Sequence, residues 1–183
     1  MRGQKELYDL FDQLLIKYDY DEHLPVATID DAIKHWKDYN SGRCKNIFFR
    51  NHKGNSHYLV ILEYLRQLNI HDLEKRLRQG KLTFASDKRL KKYLGVEPGS
   101  VSPFGLINDT EHHVHLFIDE KLQEYDRLAF HPNVNTATLV ISLSDFLRFL
   151  DYVGNTYEFI KLYDYPPPPP QGGANASYII SNY

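Results

Sequence analysis

Two apolar runs separated by a short polar turn constrain this chain more than any other feature. Cys44 to Arg50 reads CKNIFFR and His57 to Glu63 reads HYLVILE, with Asn51-His52-Lys53-Gly54-Asn55 between them. β-branched and aromatic side chains suit a pleated surface, and a glycine-bearing turn of this length joins two such runs as a hairpin. Side chains alternate along a strand, so Lys45, Ile47 and Phe49 share one face while Cys44, Asn46 and Phe48 share the other. Both faces are apolar further along, so the strand is expected to be covered on both sides.

The flanking segments supply the cover. Gln4 to Tyr18 spaces Leu7, Leu10, Phe11, Leu14, Leu15 and Tyr18 as one face of a helix. A polar stretch, Asp19 to Pro25, follows, and then Thr28 reads as the N-cap of a helix through Trp36, with Asp30 and Asp31 in its first turn. His71 to Gln79 is helical and stops at Gly80, and Ser86 caps a short helix that Gly95 ends. The loop Val96 to Pro103 (VEPGSVSP) comes next. Phe104 to Ile107, His113 to Ile118, Arg127 to Phe130, Ala137 to Ile141 and Tyr157 to Leu162 are expected strands. Ser144 caps a helix, DFLRFLDYV, that ends at Gly154.

Helices and strands mix here without βαβ alternation. The expected class is α+β, with a mixed, mostly antiparallel, curved or barrel-like sheet flanked by helices. Residues 1–165 form one domain. Residues 166–183, five prolines followed by QGGANAS and SYIISNY, cannot build a packed core and are expected to be a disordered tail.

Composition removes several classes of function. The single cysteine, Cys44, permits no internal disulfide, and no apolar run approaches a membrane span, so a cytoplasmic protein without a membrane partner is expected. The net charge of −2 argues against a general nucleic-acid binder. From Glu74 to Lys92, however, eight basic residues face only Glu74 and Asp87, a local excess of six positive charges. Lys75, Arg76, Arg78, Lys81, Lys88, Arg89, Lys91 and Lys92 either dock one phosphate backbone or form solvated helix faces.

Three places can carry chemistry. An unpaired ammonium is costly to bury, so Lys45 either has a lowered pKa, holds an anionic or carbonyl group of a ligand, or extends its head to solvent at the strand end. Gly99-Ser100-Val101-Ser102-Pro103 can turn backbone N–H groups toward an oxygen that becomes negative. In Phe130-His131-Pro132-Asn133, proline fixes the backbone while His131 and Asn133 offer hydrogen bonds. Cys44 is either a nucleophile paired with His131 or a small buried apolar residue. His112, His113 and His115, with Asp109 and Glu111 nearby, lack a plausible full ligand set, so no metal is expected. No nucleotide or cofactor fingerprint is present, and no cofactor is expected.

In their order, CKNIFFRNHKGNSHYLVIL, KRLKKYLGVEPGSVSPFGLIND and FHPNVNTATLVIS resemble the prolyl-tRNA-editing family of the YbaK/ProX type. The likeness is to its freestanding branch, which is related to the insertion domain of bacterial prolyl-tRNA synthetase, and it covers residues 4–163. It implies a curved mixed sheet flanked by helices, no metal, and hydrolysis of alanine from mischarged tRNA(Pro). The family's lysine and the asparagine after it fall on Lys45 and Asn46, its GxxxP loop on Gly99 to Pro103, and its histidine on His131. Its H-x-P-V-x-T segment appears as His23-Leu24-Pro25-Val26-Ala27-Thr28, with Leu24 where proline is frequent.

The resemblance thus implies that Lys45, Gly99, Ser100, Val101 and His131 form the catalytic set. Thr28, Asn46, Ser102, Pro103 and Asn133 would contact substrate. Lys75, Arg76, Arg78, Lys88, Arg89, Lys91 and Lys92 would track the tRNA. The expected partners are the acceptor end of tRNA(Pro) and prolyl-tRNA synthetase. The alternatives are a deacylase for Cys-tRNA(Pro) or another small amino acid, and a non-catalytic module that binds tRNA or a synthetase.

Overall fold

The computed structural model describes residues 4–25 and 41–164. In chain order these form α1 (Gln4–Gln13), β1 (Tyr18–Glu22), β2 (Gly42–Asn51), β3 (His57–Glu63), α2 (Ile70–Leu77), β4 (Leu82–Phe84), α3 (Asp87–Tyr93), β5 (Val114–Asp119), β6 (Arg127–Phe130), β7 (Ala137–Ser142), α4 (Leu143–Val153) and β8 (Tyr157–Ile160). Two short 3-10 helices occur among the described residues, Pro103–Asn108 between α3 and β5 and Glu120–Glu124 between β5 and β6.

The expected hairpin is the centre of the sheet. β2 and β3 pair antiparallel from Cys44–Glu63 to Arg50–His57. The strand order is β1-β7-β6-β2-β3-β5-β8, with β4 beside β2. β2/β3, β2/β4, β1/β7 and β6/β7 are antiparallel, while β2/β6, β3/β5 and β5/β8 are parallel. Among the described residues the sheet is mixed and open, with β1 and β8 at its ends; it does not close into a barrel.

Both faces of β2 are covered, as its two-sided apolar pattern demands. Phe48 joins the larger core with Leu7, Phe11, Phe104, Phe146 and Phe149, against α1 and α4. Ile47 and Phe49 join a smaller core with Val60, Leu62 and Phe117 under Leu73 and Leu77 of α2. β2 also changes neighbours along its length. Its first residues, Gly42 and Arg43, pair with β6, and its last, Phe49 to Asn51, pair with β4. Between those pairings, Cys44 to Phe48 have no strand beside them on that edge, and the carbonyl of Phe48 accepts from the Ala85 N–H instead.

Several local expectations are corrected. Phe104 to Ile107 is 3-10 helix and not strand: the Ser102 Oγ accepts from the Phe104 N–H at 3.2 Å and Pro103 opens the turn. A short, wholly buried apolar run has no periodicity to separate the two states. α1 stops at Gln13, Leu15 takes φ 55°, and β1 begins at Tyr18, the expected last residue of the helix, and runs on into the polar stretch expected from Asp19 to Pro25. β1 is polar because it is an exposed edge strand. β4 was also unexpected. Ser142, not Ser144, caps α4, its Oγ accepting from the Asp145 N–H at 3.0 Å. α2 ends at left-handed Arg78 before Gly80 is reached. The expected helix from Thr28 to Trp36 and the tail from Pro166 lie outside the described residues. Among the described residues no helix is long and apolar enough to cross a membrane.

Candidate active site

The stretch of β2 without a strand neighbour is where the loop and the strand meet. Asn46 is buried, and its Nδ2 donates to the carbonyl of Val101 at 3.2 Å. That bond seats the Gly99–Pro103 loop against the strand. Gly99 is left-handed at φ 81°, a conformation glycine takes without steric cost. The Ser100 N–H is used within the turn, donating to Glu97 O at 3.1 Å, so it is not available to a ligand. Ser102 is fully buried and caps the 3-10 helix, and Pro103 is buried in its first turn. The N–H groups of Val101 and Ser102 make no hydrogen bond to a described residue. A trans peptide sets N–H opposite C=O, so tying the Val101 carbonyl to Asn46 turns the Ser102 N–H away from the strand.

Lys45 points to the opposite face of β2. Its stem is half-buried and its Nζ donates to the carbonyl of Arg66 at 2.5 Å. Burial lowers its pKa to about 8, so ammonium and amine both occur near neutral pH. The strand therefore carries Lys45 and Asn46 as neighbours with different partners, Arg66 for one and the loop for the other.

His131 lies next to Cys44, at the start of β2. It follows Phe130, whose ring packs edge-on against Phe104, the first residue after the loop, with centroids 5.5 Å apart. Its Nδ1 donates to the Ala137 carbonyl at 2.9 Å, which leaves the Nε2 lone pair without a partner among the described residues. Burial, with a smaller contribution from His23, keeps its pKa below the usual histidine value. Asn133 takes φ 64°, and neither its Oδ1 nor its Nδ2 has a hydrogen-bond partner among the described residues although both atoms are buried. Unmet buried amides are costly, so this turn is a candidate for contact with a ligand. His131 lines a recess of about 50 Å³ with Cys44, His23, Asp21 and Thr138. The thiol of Cys44 is pushed well above its ordinary pKa by burial, which disfavours the thiolate a nucleophile needs. Thr138, not anticipated, holds His23 by its Oγ1 at 3.0 Å from Nε2. Its only sequence signal is its outward place on β7. Thr28 lies outside the described residues.

Much of the basic segment is already engaged. Lys75 pairs with Asp72, Arg76 with Asp164 and Lys91 with Glu97. Lys92 lies over the Tyr93 ring, 4.6 Å from its centroid. Arg78 and Lys88 make no ion pair with a described residue. Arg89 reaches the Gly54 carbonyl at 3.0 Å and His57 Nε2 at 2.6 Å, clamping the β2–β3 turn. No group of three potential metal ligands occurs among the described residues.

Of the three neighbouring histidines, His115 bonds Thr156 and Glu158, and His113 joins a relay with His57 and Arg89. Arg89 can only donate, so His57 Nε2 accepts and His57 Nδ1 donates to His113 Nε2 at 2.8 Å. Burial first, then the charge of Arg89, then His113, press the His57 pKa down to about 4. Unfolded, this histidine titrates near 6.5, so the unfolded state binds more protons between those values and stability rises with pH across that window. Chemical denaturation should therefore show stability lost as pH falls from about 6.5 toward 4, by on the order of 2 kcal/mol, with the slope flattened in His57→Gln. An unchanged slope in that variant would assign the loss to other groups.

Comparison with known proteins places this geometry in a family. Residues 23–149 match the family model described as the aminoacyl-tRNA editing domain. The chain is 38% identical over 162 residues to the prolyl-tRNA editing protein ProX of Acetoanaerobium sticklandii, covering 88% of this chain and 99% of that protein. It is 31% identical over 154 residues to the prolyl-tRNA synthetase associated domain-containing protein 1 of Mus musculus, covering 82% and 90%. Its fold matches the crystal structure of a proposed trans-editing enzyme for prolyl tRNA synthetase with a TM-score of 0.62 at 17% identity, over 88% of this chain and 98% of that one. A buried asparagine seating a glycine-to-proline loop on the central hairpin, beside a histidine recess, thus occurs in a chain that belongs to the aminoacyl-tRNA editing domain family.

Proposed function

We propose that the chain is a trans-editing deacylase that hydrolyses the ester of mischarged tRNA(Pro), with Ala-tRNA(Pro) as preferred substrate and the cytoplasm as its compartment. Similarity to ProX along nearly the whole of both chains supports the reaction class. The observation that carries the reading is the loop: the Val101 carbonyl is tied back to Asn46 while the N–H groups of Val101 and Ser102 have no described partner.

In this mechanism the acylated adenosine lies along the open edge of β2. The Val101 N–H receives the carbonyl oxygen as it gains charge in the tetrahedral transition state. An aminoacyl ester is already activated, so water suffices as nucleophile, and the neighbouring ribose hydroxyl orients it. His131, neutral and with no described partner at Nε2, holds that water. The Lys45 ammonium, held by the Arg66 carbonyl on the other face of β2, takes the terminal phosphate. Asn133 supplies hydrogen bonds to the bound end. The recess beside His131 admits a methyl side chain and excludes larger ones by size, which attraction alone discriminates poorly. Arg78 and Lys88 lead the contacts to the acceptor stem, with Lys75, Arg76, Lys91 and Lys92 exchanging weak surface partners for phosphates. Arg89 serves the β2–β3 turn first. Prolyl-tRNA synthetase is the candidate protein partner.

The test is a deacylation assay on Ala-tRNA(Pro), Cys-tRNA(Pro) and Pro-tRNA(Pro) side by side. Alanine should leave at least about 100-fold faster than proline, a ratio that steric exclusion can supply. Faster release of cysteine would move the specificity to the alternative substrate. Tight tRNA binding with no release of any amino acid would make the chain a non-catalytic module.

A further inference from the structure

Lys45 owes its position to the turn at residues 63–66. The acceptor for its Nζ is the backbone carbonyl of Arg66. That residue is fixed twice by Glu63: the Arg66 N–H donates to the Glu63 carbonyl at 3.0 Å, and the Arg66 Nε donates to the Glu63 carboxylate at 2.9 Å. The other carboxylate oxygen of Glu63 accepts from the Tyr125 hydroxyl at 2.6 Å. Tyr125 is held in turn. It follows the 3-10 helix Glu120–Glu124, which buried Asp119 caps, and its ring lies over Gly42, where a Cβ would stand 2.7 Å from the ring.

The chain of contacts thus runs from β6's approach through Tyr125, Glu63 and Arg66 to Lys45. Both carboxylate oxygens of Glu63 are used, one by a guanidinium and one by a hydroxyl, and such charge-assisted bonds are the stronger kind. The Arg66 and Glu63 side chains are 18% and 25% exposed, so water competes little for them. The Glu63 hydrogen bond and burial hold the Tyr125 hydroxyl up to about 12, so it stays a donor at every working pH.

We propose that Glu63 and Tyr125 are positioning residues for Lys45: they lock the 63–66 turn so that the Arg66 carbonyl holds the ammonium ready for the substrate's phosphate. The functional half of this statement rests on the reading of Lys45 given above. The structural half does not, and the two are tested separately.

The structural half is read by the rate at which an amine-reactive reagent modifies Lys45, followed by mass spectrometry of the folded protein. Glu63→Gln keeps the side chain's shape and removes its charge, and Tyr125→Phe keeps the ring over Gly42. Modification of Lys45 should accelerate about fivefold in Glu63→Gln and less in Tyr125→Phe, the gain expected when one hydrogen bond to the amine loosens. An unchanged Lys45 rate in both variants, with other lysines as internal controls, overturns the proposal. The functional half is read by deacylation of Ala-tRNA(Pro). Glu63→Gln should raise KM about tenfold with little change in kcat, and should raise it no further in a Lys45→Ala background. An equal rise in both backgrounds would make Glu63 a merely structural residue and overturn the positioning role. Faster Lys45 modification together with full activity in Lys45→Ala leaves the positioning intact and removes the lysine from the mechanism.

Discussion

Replacing Lys45 by alanine should slow release of alanine from subsaturating mischarged tRNA(Pro) by about 10- to 100-fold, the loss expected on removing one charge-assisted contact to a phosphate. The fold should survive. Lys45 is half-buried and makes one hydrogen bond to a described residue, to a carbonyl at a turn that Glu63 secures independently. Losing that bond costs about 1 kcal/mol, small beside the apolar contacts that β2 makes on both faces. Single-turnover deacylation with a melting curve on the same sample checks both parts. The pH profile adds a second reading. If the ammonium is the working form, the enzyme's advantage over uncatalysed hydrolysis should fade as pH rises through about 8, where burial has brought the Lys45 pKa. A general base would gain over the same range. Normal deacylation by Lys45→Ala would take the residue out of the mechanism.

The second large effect is on stability and belongs to Phe104. This side chain is fully buried and meets Phe11, Phe130 and Phe149 edge to face, with centroids 5.2, 5.5 and 5.2 Å away. It is also the first residue after Pro103, so it anchors the end of the loop whose Val101 amide the mechanism uses. Phe104→Ala should cost about 3–5 kcal/mol, combining lost transfer energy with a cavity that three rigid rings cannot fill. For a chain of this size that lowers Tm by about 8–16 °C. Below the lowered Tm, deacylation should still fall, because a loop released at one end no longer holds its Val101 N–H in place. Phe104→Leu should recover part of both. A Tm within 2 °C of the wild type would mean that the loop is anchored elsewhere.

The central hairpin was legible in the residues because its evidence is local. Period-two alternation, β-branched and aromatic side chains and one glycine-bearing turn all act within twenty residues, and they also placed Lys45 and Asn46 on opposite faces. The helix ending at Val153 and the short helix capped by Ser86 were legible for the same reason. Run length failed where burial was complete: Phe104 to Ile107 has the same apolar content as a strand, and Ser102 with Pro103 turned it into 3-10 helix.

Other features depended on partners distant in the chain. β1 reads as polar loop until β7 arrives more than a hundred residues later to supply its ladder, Tyr18 opposite Ile141 and Glu22 opposite Ala137. The sequence by itself determined which side chains share each face of β2 and which residue types a deacylase could use. Only the tertiary structure decided that Asn46 takes the loop, that Lys45 takes the Arg66 carbonyl, and that Tyr125 reaches Glu63 from 62 positions away. The physical reason is that periodicity specifies a direction from the backbone, whereas the group waiting in that direction is set by long-range strand pairing and packing.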